Sequence, residues 1–199
     1  MEQADEQFNF VVNTSPDNIP ATLGRACIAF QKKDYKTALL HYKKALKLKP
    51  DCAPDVRLGI GHCLVRLGKL DKARIAFERC LEMDKHNISA MATLAIMDNN
   101  LNTPEGVQQA VNRFNYAYKL EQNHPIVLNH LANRRRQKNG ILGHKKDMLT
   151  RLLTIWPDDV EALIDLAQLT EHIGAQKSLV SYQYAAKILT EREEVEVEA

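Results

Sequence analysis

Residues Asp34–Pro50, DYKTALLHYKKALKLKP, carry the pattern that decides the fold. Ala38, Tyr42 and Ala45 recur at the spacing of one face of an α-helix, and the small side chains on that face allow another helix to approach closely. Pro50 follows the last apolar residues of the stretch. We expect the helix to end before this proline, because proline has no N–H group to donate and its ring clashes with the preceding turn.

The same pattern of small and aromatic residues recurs along the chain at a period of about 34 residues. Ala73 and Phe77 repeat it in a second copy, and Ala110, Phe114 and Ala117 repeat it in a third. This period and these residue types resemble the tetratricopeptide (TPR) family, in which each repeat is a pair of antiparallel helices. The resemblance implies an all-α fold, a right-handed α-solenoid of TPR helix pairs.

The repeat pattern also predicts how the chain is divided. The predicted segments are the second helix of a truncated repeat (1–18), three repeats (19–52, 53–87 and 88–124, the last with an insertion in its turn), a degenerate repeat (125–158), a fifth repeat (159–189) and an acidic tail (190–199). A lone second helix at the start suggests a piece of a longer array. The tail, which is rich in glutamate, is expected to fray.

Two places depart from the repeat pattern. The third repeat is about three residues too long for the usual period, and the excess falls at Leu101–Gly106, where Asn, Pro and Gly predict a loop. In the fourth repeat, Arg136 and Lys145 take positions that call for apolar and small residues. The register therefore fails over Arg134–Lys146, which indicates either an irregular turn or a junction between segments of two different repeats.

The composition fits helices and excludes several other classes. Among 199 residues only 8 are glycine and 7 are proline, which favours long helices over a β-rich fold. The net charge of +2 gives no general attraction to nucleic acid or to acidic partners. The acidic N-terminal stretch lacks the apolar core of a signal peptide, and no apolar run is long enough to cross a membrane. Four cysteines without scaffold spacing indicate reduced thiols in an intracellular protein.

No stretch carries a known phosphate-binding or nucleophile motif, so the sequence predicts neither an enzyme nor a bound cofactor. His62, Cys63, Cys80 and His86 suggest a metal site as one alternative. However, they lack a C-x-x-C pair, and the two cysteines fall on core positions of different helices. A structural role is therefore favoured, since free cysteine is among the most buried residue types.

In TPR arrays, partner peptides lie along a concave face that is lined mainly by the first helices of the repeats. By register, the residues predicted to line this partner groove are Cys27, Gln31, His62, Arg66, Ile96, Asn99 and Asn100. TPR co-chaperones clamp the carboxylate of a chaperone tail there with lysine, arginine and asparagine, because a desolvated carboxylate needs such donors. Other residue types stand at the clamp positions of this chain: Leu23, Cys27, Gly59, Ser89 and Thr93.

The densest basic cluster lies where the repeat register fails. It consists of Arg134, Arg135, Arg136, Lys138, Lys145 and Lys146. Such a cluster can act as a nuclear import signal or contact phosphates. The alternative is a solvated turn without a partner.

Longer phrases of the sequence resemble a more specific family. The phrases CAPDVRLGIGHCLVRLGKLDKARIAFERCLEM and HPIVLNHLAN, together with the stretch that begins FNFVVNTSPDNIP, are similar to the N-terminal repeats of the large TPR subunit of the RNA polymerase II-associated factor (PAF) complex. The match covers roughly Ala4–Asn133. The stretch GHKKDMLTRLLTIWPDDVEALIDLAQLTEH resembles a later part of the same family, which implies internal shortening near Arg134–Gly143 or a divergent paralogue.

The resemblance implies a nuclear, non-catalytic scaffold. It would bind other PAF subunits, and RNA polymerase II indirectly, in support of elongation and co-transcriptional histone modification. It implies no small-molecule substrate, no membrane and no direct nucleic acid binding. The alternative is a generic cytoplasmic TPR adaptor that binds a peptide other than a chaperone C-terminal tail.

Overall fold

The computed structural model describes residues 2–134, 142–171 and 174–197, and these residues form eleven helices. The helices are α1 (Glu2–Thr14), α2 (Ile19–Gln31), α3 (Tyr35–Leu48), α4 (Pro54–Arg66), α5 (Leu70–Met83), α6 (Ile88–Asn99), α7 (Pro104–Leu120), α8 (Pro125–Arg134), α9 (Leu142–Ile155), α10 (Val160–Thr170) and α11 (Ala175–Val197). In this described part, no helix combines the length and the apolar character of a membrane span.

Short polar side chains start the helices at regular intervals. The carboxamides of Asn18 and Asn87 accept hydrogen bonds from the backbone three residues ahead, at the starts of α2 and α6. Asp34 and Asp159 do the same for α3 and α10. Each such cap stabilises its helix by about 1 kcal/mol. Gly68, in the turn between α4 and α5, has a φ of 72°, as expected for a residue that ends a helix.

The chain divides into two compact units, Met1–Arg113 and Phe114–Ala199. The small residues of the repeat pattern are fully buried in the first unit, among them Ala26, Ala38, Ala45 and Ala73. The aromatic Phe77 is fully buried with them. The pattern that defined the repeats in the sequence is therefore the pattern of this core.

Aromatic rings of one helix pack on glycines of the next in the first unit. A Cβ atom added at Gly59 of α4 would lie 2.6 Å from the Tyr42 ring of α3, and one at Gly24 of α2 would lie 2.6 Å from the Phe8 ring of α1. Phe8 thus meets α2 in the way that Tyr42 meets α4. This likeness supports the proposal that α1 is the second helix of a repeat, although the predicted repeat boundaries stay predictions.

The expected loop at Leu101–Gly106 is wrong in its second half. Pro104–Gly106 form the first turn of α7, which has 17 residues where α3 and α5 each have 14. The reason is that proline is tolerated at the start of a helix, where its missing N–H needs no partner. The side-chain oxygen of Thr103 accepts a hydrogen bond from the backbone N–H of Gly106. The extra residues therefore lengthen a helix.

A buried carboxylate joins three helices next to this turn. Asp98 on α6 is 1% exposed, and its two oxygens lie 2.7 Å from Nη1 of Arg74 on α5 and 2.9 Å from Nε of Arg113 on α7. The second contact is close enough for an ion pair but is not aligned as a hydrogen bond. A Cβ added at Gly106 would lie 2.6 Å from the backbone oxygen of Asp98. Only glycine lets α7 start so close to the end of α6.

In the second unit, Lys145 corrects the interpretation of the basic cluster. It belongs to α9 and is 6% exposed, and its ammonium group lies 2.9 Å from a carboxylate oxygen of Asp165 on α10. Lys145 breaks the small-residue pattern because it forms a buried ion pair, so it is not part of an exposed basic surface. Residues of the predicted acidic tail up to Val197 belong to α11, and the fraying of this tail stays a prediction.

We predict that Gly106→Ala lowers the free energy of unfolding by about 1–3 kcal/mol, because the new methyl group would clash with backbone that cannot move independently. Urea denaturation followed by circular dichroism measures this change. Gln109→Ala, at an exposed position of the same helix, is the control and should stay within about 0.5 kcal/mol. A Gly106→Ala protein as stable as this control would show that the close approach of α6 and α7 is not required.

We predict that Lys145→Met lowers the free energy of unfolding by about 3–5 kcal/mol, because it leaves the Asp165 carboxylate buried without its cation. The double variant Lys145→Met, Asp165→Leu should recover most of that loss. Lys146→Met, at the exposed next position, should change stability by no more than about 0.5 kcal/mol. A loss for Lys145→Met as small as that of Lys146→Met would mean that the ion pair is not buried.

Candidate functional site

The residues predicted to line the partner groove lie at equivalent points on three first helices of the first unit. Cys27 and Gln31 are on α2, and His62 and Arg66 are on α4. Ile96 and Asn99 are on α6, and Asn100 follows it as the C-cap residue. Cys27, Gln31, Arg66 and Asn100 are exposed, whereas His62, Ile96 and Asn99 are half-buried. Pairs four residues apart share one helix face, so each helix presents its members together. Their role in binding stays a prediction.

Two tyrosines of α3 border this face, and the sequence analysis did not assign them to it. The hydroxyl of Tyr42 lies 3.4 Å from the Cys27 thiol. Burial raises the pKa of Tyr42, and the contact with Cys27 raises it further, so the phenol stays protonated. The ring of Tyr35 lies under the guanidinium of Arg66, 5.9 Å from its central carbon. These contacts depend on how α3 packs against α2 and α4, so the periodicity of a single helix does not predict them.

His62 is a neutral histidine at the edge of the core. Its ring meets Phe77 edge to face, with centroids 5.3 Å apart. Burial lowers the pKa of His62, and the positive charge of Arg66 lowers it further. The imidazole therefore offers the face one donor and one acceptor without a charge at neutral pH.

The metal-site alternative finds no support in the geometry. Cys63 and Cys80 are fully buried, and burial raises the pKa of each thiol to about 11. A metal binds the thiolate, which this environment disfavours. The described residues contain no group of three histidine, cysteine or acidic side chains placed to hold a metal ion.

The basic cluster is described only in part. Arg135, Arg136 and Lys138 lie outside the described residues, and of Arg134 only the backbone, at the end of α8, is described. A role in import or in phosphate contact therefore stays a prediction. Of the remaining members, Lys146 is exposed, whereas Lys145 is buried as shown above.

A surface cavity of about 450 Å³ lies in the second unit. It is lined by Trp156, Pro157, Asp158, Asp159, Val160, Glu161 and Arg192. Its acidic groups are largely engaged within the chain. The Asp158 carboxylate accepts a hydrogen bond from the Tyr184 hydroxyl, and the backbone carbonyl of Asp158 accepts one from Arg192. The Asp159 carboxylate caps α10. The cavity thus joins the turn before α10 to Arg192 of α11.

We predict that, when the pH is lowered from about 7.5 to about 5.5, the free energy of unfolding falls less in His62→Gln than in the wild type. The pKa of His62 is lower in the folded than in the unfolded protein, so the unfolded chain binds more protons below about pH 6.5. The contribution of the neutral ring is therefore full above that pH and is lost as the pH falls through the folded pKa. Urea denaturation at both pH values measures the difference.

Other histidines with pKa values lowered by burial should preserve part of this pH dependence. They are His41, His124 and His130. His86→Gln, which makes the same substitution in the exposed turn before α6, is the control for the change of residue type. An unchanged pH dependence in His62→Gln would contradict the burial of a neutral ring at this site.

Comparisons with known proteins agree with the resemblance. A model of the tetratricopeptide repeat family matches residues 29–95. The chain is 46% identical over 132 residues to the RNA polymerase-associated protein CTR9 of Caenorhabditis elegans, and this covers 66% of the chain and 12% of that protein. It is 41% identical over 133 residues to the protein CTR9 homolog of Arabidopsis thaliana, and this covers 67% of the chain and 12% of the homologue. The chain therefore spans only a small part of the length of these relatives.

Among solved structures, the chain is similar to a chain of the APC/C hetero-tetramer Cut9–Hcn1. The TM-score is 0.77 at 14% identity, with 95% of this chain and 37% of that chain covered. An identity this low shows the fold alone, and the expected fold class is confirmed. The chain is an all-α protein of tetratricopeptide helix pairs, and over two-thirds of its length it is a sequence relative of the CTR9 proteins.

Proposed function

We propose that the chain is a non-catalytic scaffold and a component of the PAF transcription elongation complex. The observation that carries this proposal is the 46% identity to a protein named as RNA polymerase-associated. By this proposal the chain binds other PAF subunits directly and RNA polymerase II indirectly, in the nucleus. Its contribution to elongation and to co-transcriptional histone modification then comes from holding its partners together.

The chemistry of the first-helix face supports binding rather than catalysis. Beside the exposed thiol of Cys27, its exposed polar groups are the amides of Gln31 and Asn100 and the guanidinium of Arg66. Such groups bind peptide carbonyls and carboxylates. The thiols of Cys63 and Cys80, which could serve as nucleophiles elsewhere, are buried and protonated. These polar side chains lie on α2, α4 and at the end of α6. This arrangement fits an elongated peptide that crosses several repeats.

The second candidate is a cytoplasmic TPR adaptor of another assembly. The fold alone, which is what the 14% likeness to a chain of the APC/C hetero-tetramer shows, is compatible with this candidate, because a fold does not determine its partners. This candidate needs the same face but other partners. It predicts a protein that stays outside the nucleus.

We expect the tagged chain to recover PAF subunits and RNA polymerase II from nuclear extract, as read by mass spectrometry. Ile96→Glu places a charge at a half-buried position of the face on α6 and should lower this recovery at least about tenfold, as for loss of a buried contact. Leu40→Glu is the control, because Leu40 is 70% exposed on the second helix α3. Circular dichroism checks that both variants fold.

The outcome of this experiment separates the two candidates. Recovery of cytoplasmic proteins without PAF subunits would favour the adaptor. Equal loss of PAF subunits in Leu40→Glu and Ile96→Glu would show that the first-helix face is not the binding face.

A further inference from the structure

Three side chains from three helices form a continuous strip at one end of the first-helix face. Phe30 at the end of α2 meets Tyr35 at the start of α3, edge to face, with ring centroids 5.2 Å apart. The guanidinium of Arg66, at the end of α4, lies over the Tyr35 ring. Both rings are half-buried and Arg66 is exposed. We name these residues the Phe30–Tyr35–Arg66 strip.

The positive charge of this strip is not neutralised within the described part of the chain. No carboxylate there lies within ion-pair distance of Arg66. Lys33 and Lys69, in the turns after α2 and α4, are also exposed and form no ion pair among the described residues. The neighbouring Asp34 is engaged, because its carboxylate caps α3. An exposed cation without an ion-pair partner favours an anionic ligand.

Amide donors stand at the equivalent ends of the adjoining first helices. Gln31 is the last residue of α2, and Asn100 is the C-cap residue of α6, on either side of α4 in chain order. Both side chains are exposed. A carboxylate accepts hydrogen bonds from a guanidinium and from amides, and the guanidinium can donate two in parallel. Gln31, Arg66 and Asn100 therefore provide donors suited to carboxylates at equivalent ends of α2, α4 and α6.

We propose that the Phe30–Tyr35–Arg66 strip binds an acidic side chain of a partner's peptide segment, with Arg66 as the anchor. The inference rests on the proposed function only in taking the first-helix face as the binding face. The contact with Tyr35 holds the guanidinium in place before binding, which lowers the ordering cost of the complex. The half-buried Tyr35 ring also covers one side of the guanidinium, and this strengthens its pairing with a carboxylate.

A peptide fits these observations better than a nucleic acid. Binding to a phosphate backbone requires a row of cations that follows the strand, whereas the positions equivalent to Arg66 at the ends of α2 and α6 carry the amides Gln31 and Asn100. Stacking of bases requires free aromatic faces, whereas one face of Tyr35 is covered by Arg66. The half-buried Ile96 and His62 next to this row offer contacts to the apolar side chains of a peptide.

A displayed library of random peptides, selected on the full chain, tests the proposal. Peptides selected on the wild type should share an aspartate or glutamate at one position. Selection on Arg66→Glu should remove that preference and favour lysine or arginine there. Lys43→Glu, with the same change of charge at an exposed position of α3, should select the same acidic peptides as the wild type.

The affinity of one selected peptide gives the quantitative result. Arg66→Gln, and separately replacement of the peptide's acidic residue by its amide, should each weaken binding at least about tenfold by titration calorimetry. The two changes together should weaken binding little further, because they remove the same contact. Circular dichroism confirms that the variants fold.

Several results would overturn the proposal. They are a library without enriched peptides, enriched peptides without a shared acidic position, an Arg66→Gln variant that binds as the wild type does, and displacement of the peptide by an equal concentration of a DNA oligonucleotide. The result of the peptide selection does not depend on whether the chain recovers PAF subunits from nuclear extract. If the chain selects acidic peptides but recovers no PAF subunits, Arg66 is upheld as the anchor and the proposed role in the PAF complex is refuted. If the chain recovers PAF subunits but selects no acidic peptides, the proposed role is upheld and the anchor is refuted.

Discussion

The first unit depends on the contact of an aromatic ring with a glycine of the next helix. Tyr42 on Gly59 and Phe8 on Gly24 join a second helix to the first helix that follows it. A ring supplies much apolar area in a fixed shape, and a glycine lets the backbone come against that ring. Even a methyl group at Gly59 would lie 2.6 Å from ring atoms, so this joint exists only with its pair of residue types. The joint occurs between α1 and α2 and between α3 and α4, whereas the Phe77 ring of α5 packs on Gly61 of the preceding helix α4.

The same joint determines which surface is free. Each aromatic ring is directed between helices, and the small residues on the contact faces, such as Ala26 and Ala38, are fully buried. What remains exposed on α2 and α4 is the opposite set, including Cys27 and Arg66. Cys27 and Arg66 touch Tyr42 and Tyr35, but they are not among the buried small residues that let the helices approach. Binding specificity can therefore vary while the fold stays constant.

The sequence predicted the features that recur and missed those that depend on one partner. The small and aromatic residues of α2–α5 have a fixed period, so their helices and their buried face could be predicted. Pro104 and Gly106 were read as loop residues, although proline also fits the first turn of a helix, and no local signal separates the two cases. The contact of Arg66 with Tyr35 was missed, because it depends on how α3 and α4 pack. The division into repeats and the role of the first-helix face remain predictions.

The two buried ion pairs show what a departure from the pattern can do. Asp98 and Lys145 both stand among apolar residues of the repeats, and each is paired with a charge on another helix. Apolar contacts tolerate sliding between helices, whereas an ion pair forms in one register only, and its loss leaves a buried charge. Asp98 directly precedes Asn99 and Asn100 on the first-helix face. Its pairing with Arg74 and Arg113 therefore fixes the position from which α6 presents those amides, which links a buried constraint of the fold to the surface that we propose for binding.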